Sequence, residues 1–420
     1  MPKIKSLTAR EILDSRGWPT LEAEIILDNG LKARASVPGV SPVSVYEAVE
    51  LRDGDKKRYQ GLGVLKAITK INEVIAPALA DIDILKQAEI DKKLIELDGT
   101  ENKSNLGVNT ILAVSLVCAR AGAAINNQEL FEYLGETFSL INPGMPTPIF
   151  NIFNGGRHAD TNLDFEEFLI IPKKAGASEM VQEGADIFHA LGDELKNSGY
   201  DTDTGVEGGY APDLDSSIEA IELMLAASIR AGYNPGKDLW LGVDVGSSIL
   251  FEENTKRYVF PLDNAYFTSD TLIGLYDSWF KKYPIIYLED GLAEDDWKKW
   301  HDLTAELGKD IMIVGDDLFA TNINRLRKGI QEQAANSLVI KLNQVGTLTE
   351  AVECVKLANK HNYRVIVSSR SSETNDDFIV DFAVAVRADY LKAGSLSRGE
   401  RISKYNRLIE IDNILKRNGK

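Results

Sequence analysis

The sequence predicts an α+β domain followed by a closed barrel of βα units, on three observations. Strand-like segments precede helical ones within the first part of the chain. Beyond it, short apolar runs alternate with amphipathic helices at a spacing of roughly 25 residues, the signature of βα units and a parallel sheet. Six or more such units over about 280 residues favour closure over an open doubly wound sheet.

Residues 3–38 read as a three-stranded meander whose second strand, LEAEIILDNG, ends in the hairpin signal Asp28-Asn29-Gly30. Helical periodicity follows over 59–80, 86–97 and 105–125, with a short helix near 129–135. The apolar stretch Ile111 to Ile125, interrupted by Arg120, is too short to span a bilayer and reads as a buried helix. The turn-rich Asn142-Pro143-Gly144-Met145-Pro146 joins two expected domains, 1–138 and 139–420. In the second, strands near 147–153 and 163–171 are followed by longer irregular stretches. Then come strand candidates Leu239–Asp244, Ile285–Glu289, Met312–Asp316, Leu338–Lys341, Arg364–Ser368 and Tyr390–Lys392. Helices such as 269–282, opened by Ser269-Asp270 as cap, and 347–361 lie between them.

Composition narrows the function. At 420 residues the chain exceeds one ordinary core, and 44% apolar with 26% charged residues is a globular profile. Asp plus Glu outnumber Lys plus Arg, 64 to 47, for a net charge of −17. That excess repels phosphate backbones and anionic lipid, so neither nucleic acid nor membrane is an expected partner. Cys118 and Cys354 stand alone, with no zinc spacing and no disulfide framework. They fit a reducing cytosol, and the N-terminal MPKIKSLTAR has no apolar signal core, so a cytoplasmic location is expected.

Nearly every late strand ends in a charged or polar residue: Asp244, Glu289, Asp316, Lys341, Ser369-Arg370 and Lys392. The strand ends of a parallel barrel share one face, where active sites lie. Three carboxylates brought together there repel one another unless a cation joins them, and an all-oxygen set suits Mg²⁺. One acid at a strand end more often caps the next helix; three on consecutive strands, followed by a lysine, point to a metal. Burial beside a cation lowers a lysine's pKa, which would make Lys341 a base. Such a base with Mg²⁺ stabilising an ene-diolate is a known pattern. Arg370 and Lys392 read as clamps for phosphate and carboxylate. Asn154-Gly155-Gly156-Arg157-His158 precedes LDFEEFLI, where strand alternation lets only one of Glu166 and Glu167 face the interior. Glu207 lies in the glycine-rich Gly205-Val206-Glu207-Gly208-Gly209, where backbone can approach a ligand. His158 alone is equally a site residue or a structural hydrogen-bonder.

From end to end the chain resembles the enolase (phosphopyruvate hydratase) family. The resemblance rests on AREILDSRGWPT (9–20), YEAVELRDGD (46–55), ELDGTENKSNLGVNTILAVSL (96–116), NGGRHAD (154–160), EGGYAP (207–212), YLEDGLAEDDW (287–297), VGDDLFATN (314–322), IKLNQVGTLTE (340–350) and GSLSRGERISKYNRL (394–408). It implies an α+β N-terminal capping domain on an enolase-type (β/α)8 TIM-like barrel, a homodimer, and reversible dehydration of 2-phosphoglycerate to phosphoenolpyruvate. By resemblance Asp244, Glu289 and Asp316 hold the first Mg²⁺, and Lys341 takes the α-proton. Lys392 meets the substrate carboxylate, and Arg370 and Ser371 bind phosphate. Glu167 and Glu207 are the acids on the leaving-hydroxyl side, and His158 belongs to a mobile active-site loop.

The departures cluster. The family's lid PSGASTG is here Pro38-Gly39-Val40-Ser41-Pro42-Val43-Ser44, so the serine serving a second, substrate-assisted Mg²⁺ aligns with Pro42. Ser41 or Ser44 could serve after a register shift. Ser369 replaces the histidine of SHRSG, Val206 the Asp of DEGG, Glu166 a glutamine, and Ile249 the Glu of DVAASEF. These changes keep an alternative open: the same enolate chemistry with another second step, as in carboxyphosphonoenolpyruvate synthases of phosphonate biosynthesis. A non-catalytic homologue with a binding role is a third reading.

Overall fold

A computed structural model describes residues 3–39, 44–140 and 142–417. The meander forms as expected: β1 (Ile4–Leu13), β2 (Pro19–Leu27) and β3 (Lys32–Ser36) pair antiparallel in sequence order. Leu21, Ala23, Ile25 and Leu27 alternate onto its buried face. Helix Val108–Asn126 packs on this sheet, and helix Gln87–Asp98 packs on that helix. Val108–Asn126 runs past the apolar stretch read from sequence and is long and apolar enough to cross a membrane. Its burial has another cause here: nearly all its residues, from Val108 to Ala123, are enclosed between the meander, its neighbouring helices and the segment 342–360 of the second part.

The second part is a closed eight-stranded barrel. β4 (Thr147–Asn154), β5 (Glu167–Pro172) and β6 (Leu239–Asp244) are followed by a small antiparallel sheet of β7 (Phe251–Glu252), β8 (Arg257–Phe260) and β9 (Ala265–Phe267). β10 (Ile285–Glu289), β11 (Met312–Gly315), β12 (Ser337–Ile340), β13 (Arg364–Ser368) and β14 (Tyr390–Lys392) complete the ring, and β14 returns to β4. Its interior is filled by Ile149, Leu169, Ile171, Tyr287, Val314, Val339 and Ile366.

The expectation of an all-parallel sheet needs correction. β5 runs antiparallel to both β4 and β6. The link from β4 to β5 holds only the short turn Gly156–His158, with no helix to carry a parallel crossover. The stretch after β5 is not irregular either: it carries helices Ala177–Ser198 and Ser217–Arg230. Gly184 and Gly192 weaken the first helix locally, yet packing demands them. A Cβ at Gly184 would meet the Phe150 ring at 2.7 Å, and one at Gly192 the Tyr210 hydroxyl at 2.3 Å. Helix Ser269–Lys282 is capped by Thr268 rather than Ser269-Asp270, in a reciprocal box with Thr271. Ser269 instead donates to Asp296 at 2.7 Å.

Glu183, on the helix after β5, is fully buried with neither carboxylate oxygen hydrogen-bonded. Burial pushes its pKa up to about 7; Lys174 opposes the rise and Asp238 adds to it. A raised folded-state value means that ionisation carries no penalty below the unfolded value near 4.5, and that stability is lost as pH rises from there through 7, the full penalty being present above it. Glu183→Met, of similar volume, is expected to stabilise the protein by about 1–3 kcal/mol at pH 8. The gain should shrink toward pH 5; thermal melts giving the same gain at both pH values would contradict this account.

Candidate functional site

The C-terminal ends of β6 and β10–β14 open onto one barrel mouth. Because β5 is reversed, its N-terminal end lies there too, with Glu167 in register with both Asp244 and Asn154. Asp244 is in turn paired with Glu289. Asp316 and Lys341 each stand one residue beyond β11 and β12, and Lys392 ends β14. A single polar pocket is lined by His158, Glu166, Glu167, Glu207, Asp244, Asp316, Lys341, Arg370, Ser371 and Lys392, together with Asp290 and Asp317. Of the ten residues singled out from sequence, nine line it. Glu289 lies buried behind Lys392.

Glu166 and Glu167 both reach the pocket, against the expectation from alternation. β5 begins only at Glu167, so Glu166 belongs to the preceding loop and the strand rule does not govern it.

Lys392 organises the carboxylates. Its ammonium is 2.8 Å from Glu289, 3.0 Å from Asp244 and 3.1 Å from Glu167. Asp244 and Glu289 therefore meet across a lysine, and Asp316 turns to an ion pair with Lys341. Burial pushes Asp244 up to about 6, with Glu167 and Glu166 adding against Lys392, and pushes Glu289 up to about 8, with Asp244 and Asp316 adding against Lys392. Tyr287 donates its hydroxyl to one Glu289 oxygen, while the other is buried without a hydrogen bond. Asp290 accepts from the backbone N–H groups of Asp316 (3.0 Å) and Asp317 (2.8 Å), fixing the loop after β11.

Lys341 differs from expectation. Burial works to lower its pKa, but the surrounding carboxylates, Asp316 first and Glu289 among them, together hold it above the usual lysine value. Sequence spacing placed a cation beside this lysine; the fold also puts a carboxylate in direct contact with it.

A second corner holds His158, Glu166, Glu167 and Glu207. The His158 Nδ1 is 3.3 Å from Glu167 and its Nε2 is 3.8 Å from Glu166. Burial opposes its charge, but Glu166, Glu167 and Glu207 hold the ring protonated, raising its pKa to about 10. Burial likewise opposes ionisation of Glu207, yet Arg401, then His158, Lys392 and Lys341, draw it down to about 2. These opposite shifts favour a cationic His158 imidazole beside an ionised Glu207.

Two contributors are not singled out by the sequence reading, although both lie in stretches that carry the resemblance. Glu47, from the N-terminal domain, pairs with Arg370 at 2.9 Å with both side chains buried. Arg401, on the last helix (Gly399–Arg417), is fully buried and donates to the carbonyls of Arg370 (2.7 Å) and Ser371 (2.8 Å). It also donates to Ser369 Oγ at 3.0 Å and to the Val206 carbonyl at 3.3 Å, binding the β13 loop to the Glu207 loop. Ser369 thus serves as an internal acceptor. Val206 donates its N–H to the His158 carbonyl at 2.8 Å. Ile249 ends the turn Ser247–Ile249 after β6. Pro42 and Ser41 lie outside the described residues; Ser44 is buried, its hydroxyl accepting from the Tyr46 N–H at 3.2 Å.

The donor chemistry suits a hard divalent cation: Asp290, Asp316 and Asp317 bring carboxylate oxygens within 4.8 Å of one another, while Asp244 and Glu289 are held by Lys392 and Glu289 keeps one buried oxygen without a hydrogen bond. Comparison with known families agrees with the architecture. Residues 4–134 match the family described as "Enolase, N-terminal domain", and residues 142–420 match "Enolase, C-terminal TIM barrel domain".

Proposed function

Because the chain belongs to the enolase family, we propose that it is a Mg²⁺-dependent lyase that reversibly dehydrates 2-phosphoglycerate to phosphoenolpyruvate through an enolate. The observation that carries this reading is the gathering of Lys341, Lys392 and Arg370 with the acids of β5, β6 and the β11 loop around one pocket. Two buried cationic side chains, Arg370 and Lys392, and the partly buried Lys341 match a substrate bearing a carboxylate and a phosphate.

Asp244, Glu289 and Asp316 would hold the Mg²⁺, which supplies positive charge that acidifies the proton next to a bound carboxylate. Arg370 and Ser371 take the phosphate, with Glu47 and Arg401 holding the arginine and its loop in place. Lys392 meets the substrate carboxylate. Lys341 removes the α-proton once its ammonium has given up its own. The His158, Glu167 and Glu207 corner supplies a proton to the departing hydroxide.

The test is phosphoenolpyruvate formation from 2-phosphoglycerate with Mg²⁺, followed by its ultraviolet absorbance. Turnover in the range of ordinary enzymes, about 1–10³ per second, is expected. Bound Mg²⁺ with neither product nor α-proton exchange would instead leave a non-catalytic binding protein. One observation favours a second reading. Where the family has a histidine, which can carry charge, the pocket is lined by the neutral Ser369, whose hydroxyl accepts from Arg401. The enolate could then partition to a different second step, as in carboxyphosphonoenolpyruvate synthesis. Exchange of the α-proton without phosphoenolpyruvate would select that reading.

A further inference from the structure

The neutral side chains around Asp316 form a one-way chain. The Lys341 backbone N–H donates to Thr321 Oγ1 at 3.0 Å. The Thr321 hydroxyl donates to Gln344 Oε1 at 2.6 Å, and the Gln344 amide donates to Asp316 Oδ1 at 3.1 Å. Thr321, Gln344 and Asp316 are all buried. The amide orientation follows from chemistry. A flipped Gln344 would set its oxygen against the Asp316 carboxylate, acceptor to acceptor, and its NH₂ against the hydroxyl.

Backbone geometry supports the same reading. Ala320 and Thr321 both have positive φ, +46° and +49°. For a β-branched residue this conformation is an outlier that persists only where its surroundings over-determine it. Here the surroundings are the Cys354 thiol on the Thr321 carbonyl at 3.1 Å and the Lys341 N–H on its hydroxyl. The Gln344 carbonyl is held separately by the Ala48 N–H at 2.9 Å, from the segment that carries Glu47.

We propose that Gln344, aimed by Thr321, is a positioning residue: it occupies one Asp316 oxygen and so turns the other toward the cation and Lys341. The inference rests on the Mg²⁺ site of the proposed function. It adds that the same chain ties the base-bearing end of β12 to the carboxylate beyond β11, so that the two are set together.

The test uses the full chain with Mg²⁺ alone, titrated calorimetrically, and α-proton exchange as a second readout. Thr321→Val keeps the shape and removes the hydroxyl; Gln344→Leu removes the amide. Each is expected to weaken Mg²⁺ binding about 10–100-fold, as loss of an outer-shell partner does. Thr321→Ser should restore affinity to within about threefold of wild type, which a purely structural role for the threonine would not produce. Two independent variants and the serine rescue keep the test decisive if one protein folds poorly. Folded Thr321→Val or Gln344→Leu with wild-type Mg²⁺ affinity would overturn the positioning role. Asp316→Asn separates the two levels: if wild type binds Mg²⁺ and Asp316→Asn does not, a negative result for the two variants sinks only the positioning. If wild type binds none, the proposed function falls as well.

Discussion

Lys341→Ala is expected to lower α-proton exchange by about 10²–10⁴-fold or more, while Mg²⁺ affinity stays within a few fold. The lysine is the cationic group paired to Asp316 at the pocket wall. Removing a positive charge from a metal-binding carboxylate cannot weaken a cation's hold through electrostatics, since the ammonium competes for the same oxygen. A fall in exchange with intact metal binding therefore assigns Lys341 to proton transfer. Deuterium incorporation into 2-phosphoglycerate, followed by mass spectrometry beside a calorimetric Mg²⁺ titration, reads both quantities. Exchange at the wild-type rate would remove Lys341 from the base role.

Glu207→Gln should divide the reaction. Phosphoenolpyruvate formation is expected to drop by about 10²–10⁴-fold, with α-proton exchange retained. Glu207 lies in the His158 corner and is kept ionised chiefly by Arg401 and His158, against the pull of burial. The amide preserves shape and removes the charge, so the proton balance of that corner changes while Lys341 and Asp316 keep their pairing. Measuring product and deuterium uptake in one reaction gives the ratio of the two steps. Equal losses in both would show that Glu207 is not confined to the step in which hydroxide leaves.

Much of the site was readable from sequence because a barrel turns a repeated local feature into a spatial one. Asp244, Glu289, Asp316, Lys341 and Lys392 each end an apolar run, and parallel strands carry all such ends to one face. Glu167 was recognised by resemblance, but its route to the mouth was hidden. Only the reversal of β5 brings a strand's first residue to that face. The helix Ala177–Ser198 lies where the sequence reads as irregular; it contains Gly184 and Gly192, poor helix formers that the tight approach of Phe150 and Tyr210 requires. Glu47 and Arg401 could not be found by any local pattern. Their partner Arg370 is 323 residues from Glu47 and on a different domain. Thr321 and Gln344 carry no charge, so nothing in composition or spacing marked them. No local pattern marks the contact between Lys341 and the Asp316 carboxylate, which opposes the lowering of the lysine pKa by burial.

The central claim is that this mouth makes an enolate from a phosphorylated three-carbon acid. The most direct measurement is α-proton exchange of 2-phosphoglycerate by the wild-type protein in D₂O with Mg²⁺. The account predicts Mg²⁺-dependent deuterium incorporation, lost on chelation, whether or not phosphoenolpyruvate accumulates. Mg²⁺ bound at Asp244, Glu289 and Asp316 with no deuterium in recovered substrate and no phosphoenolpyruvate would contradict it.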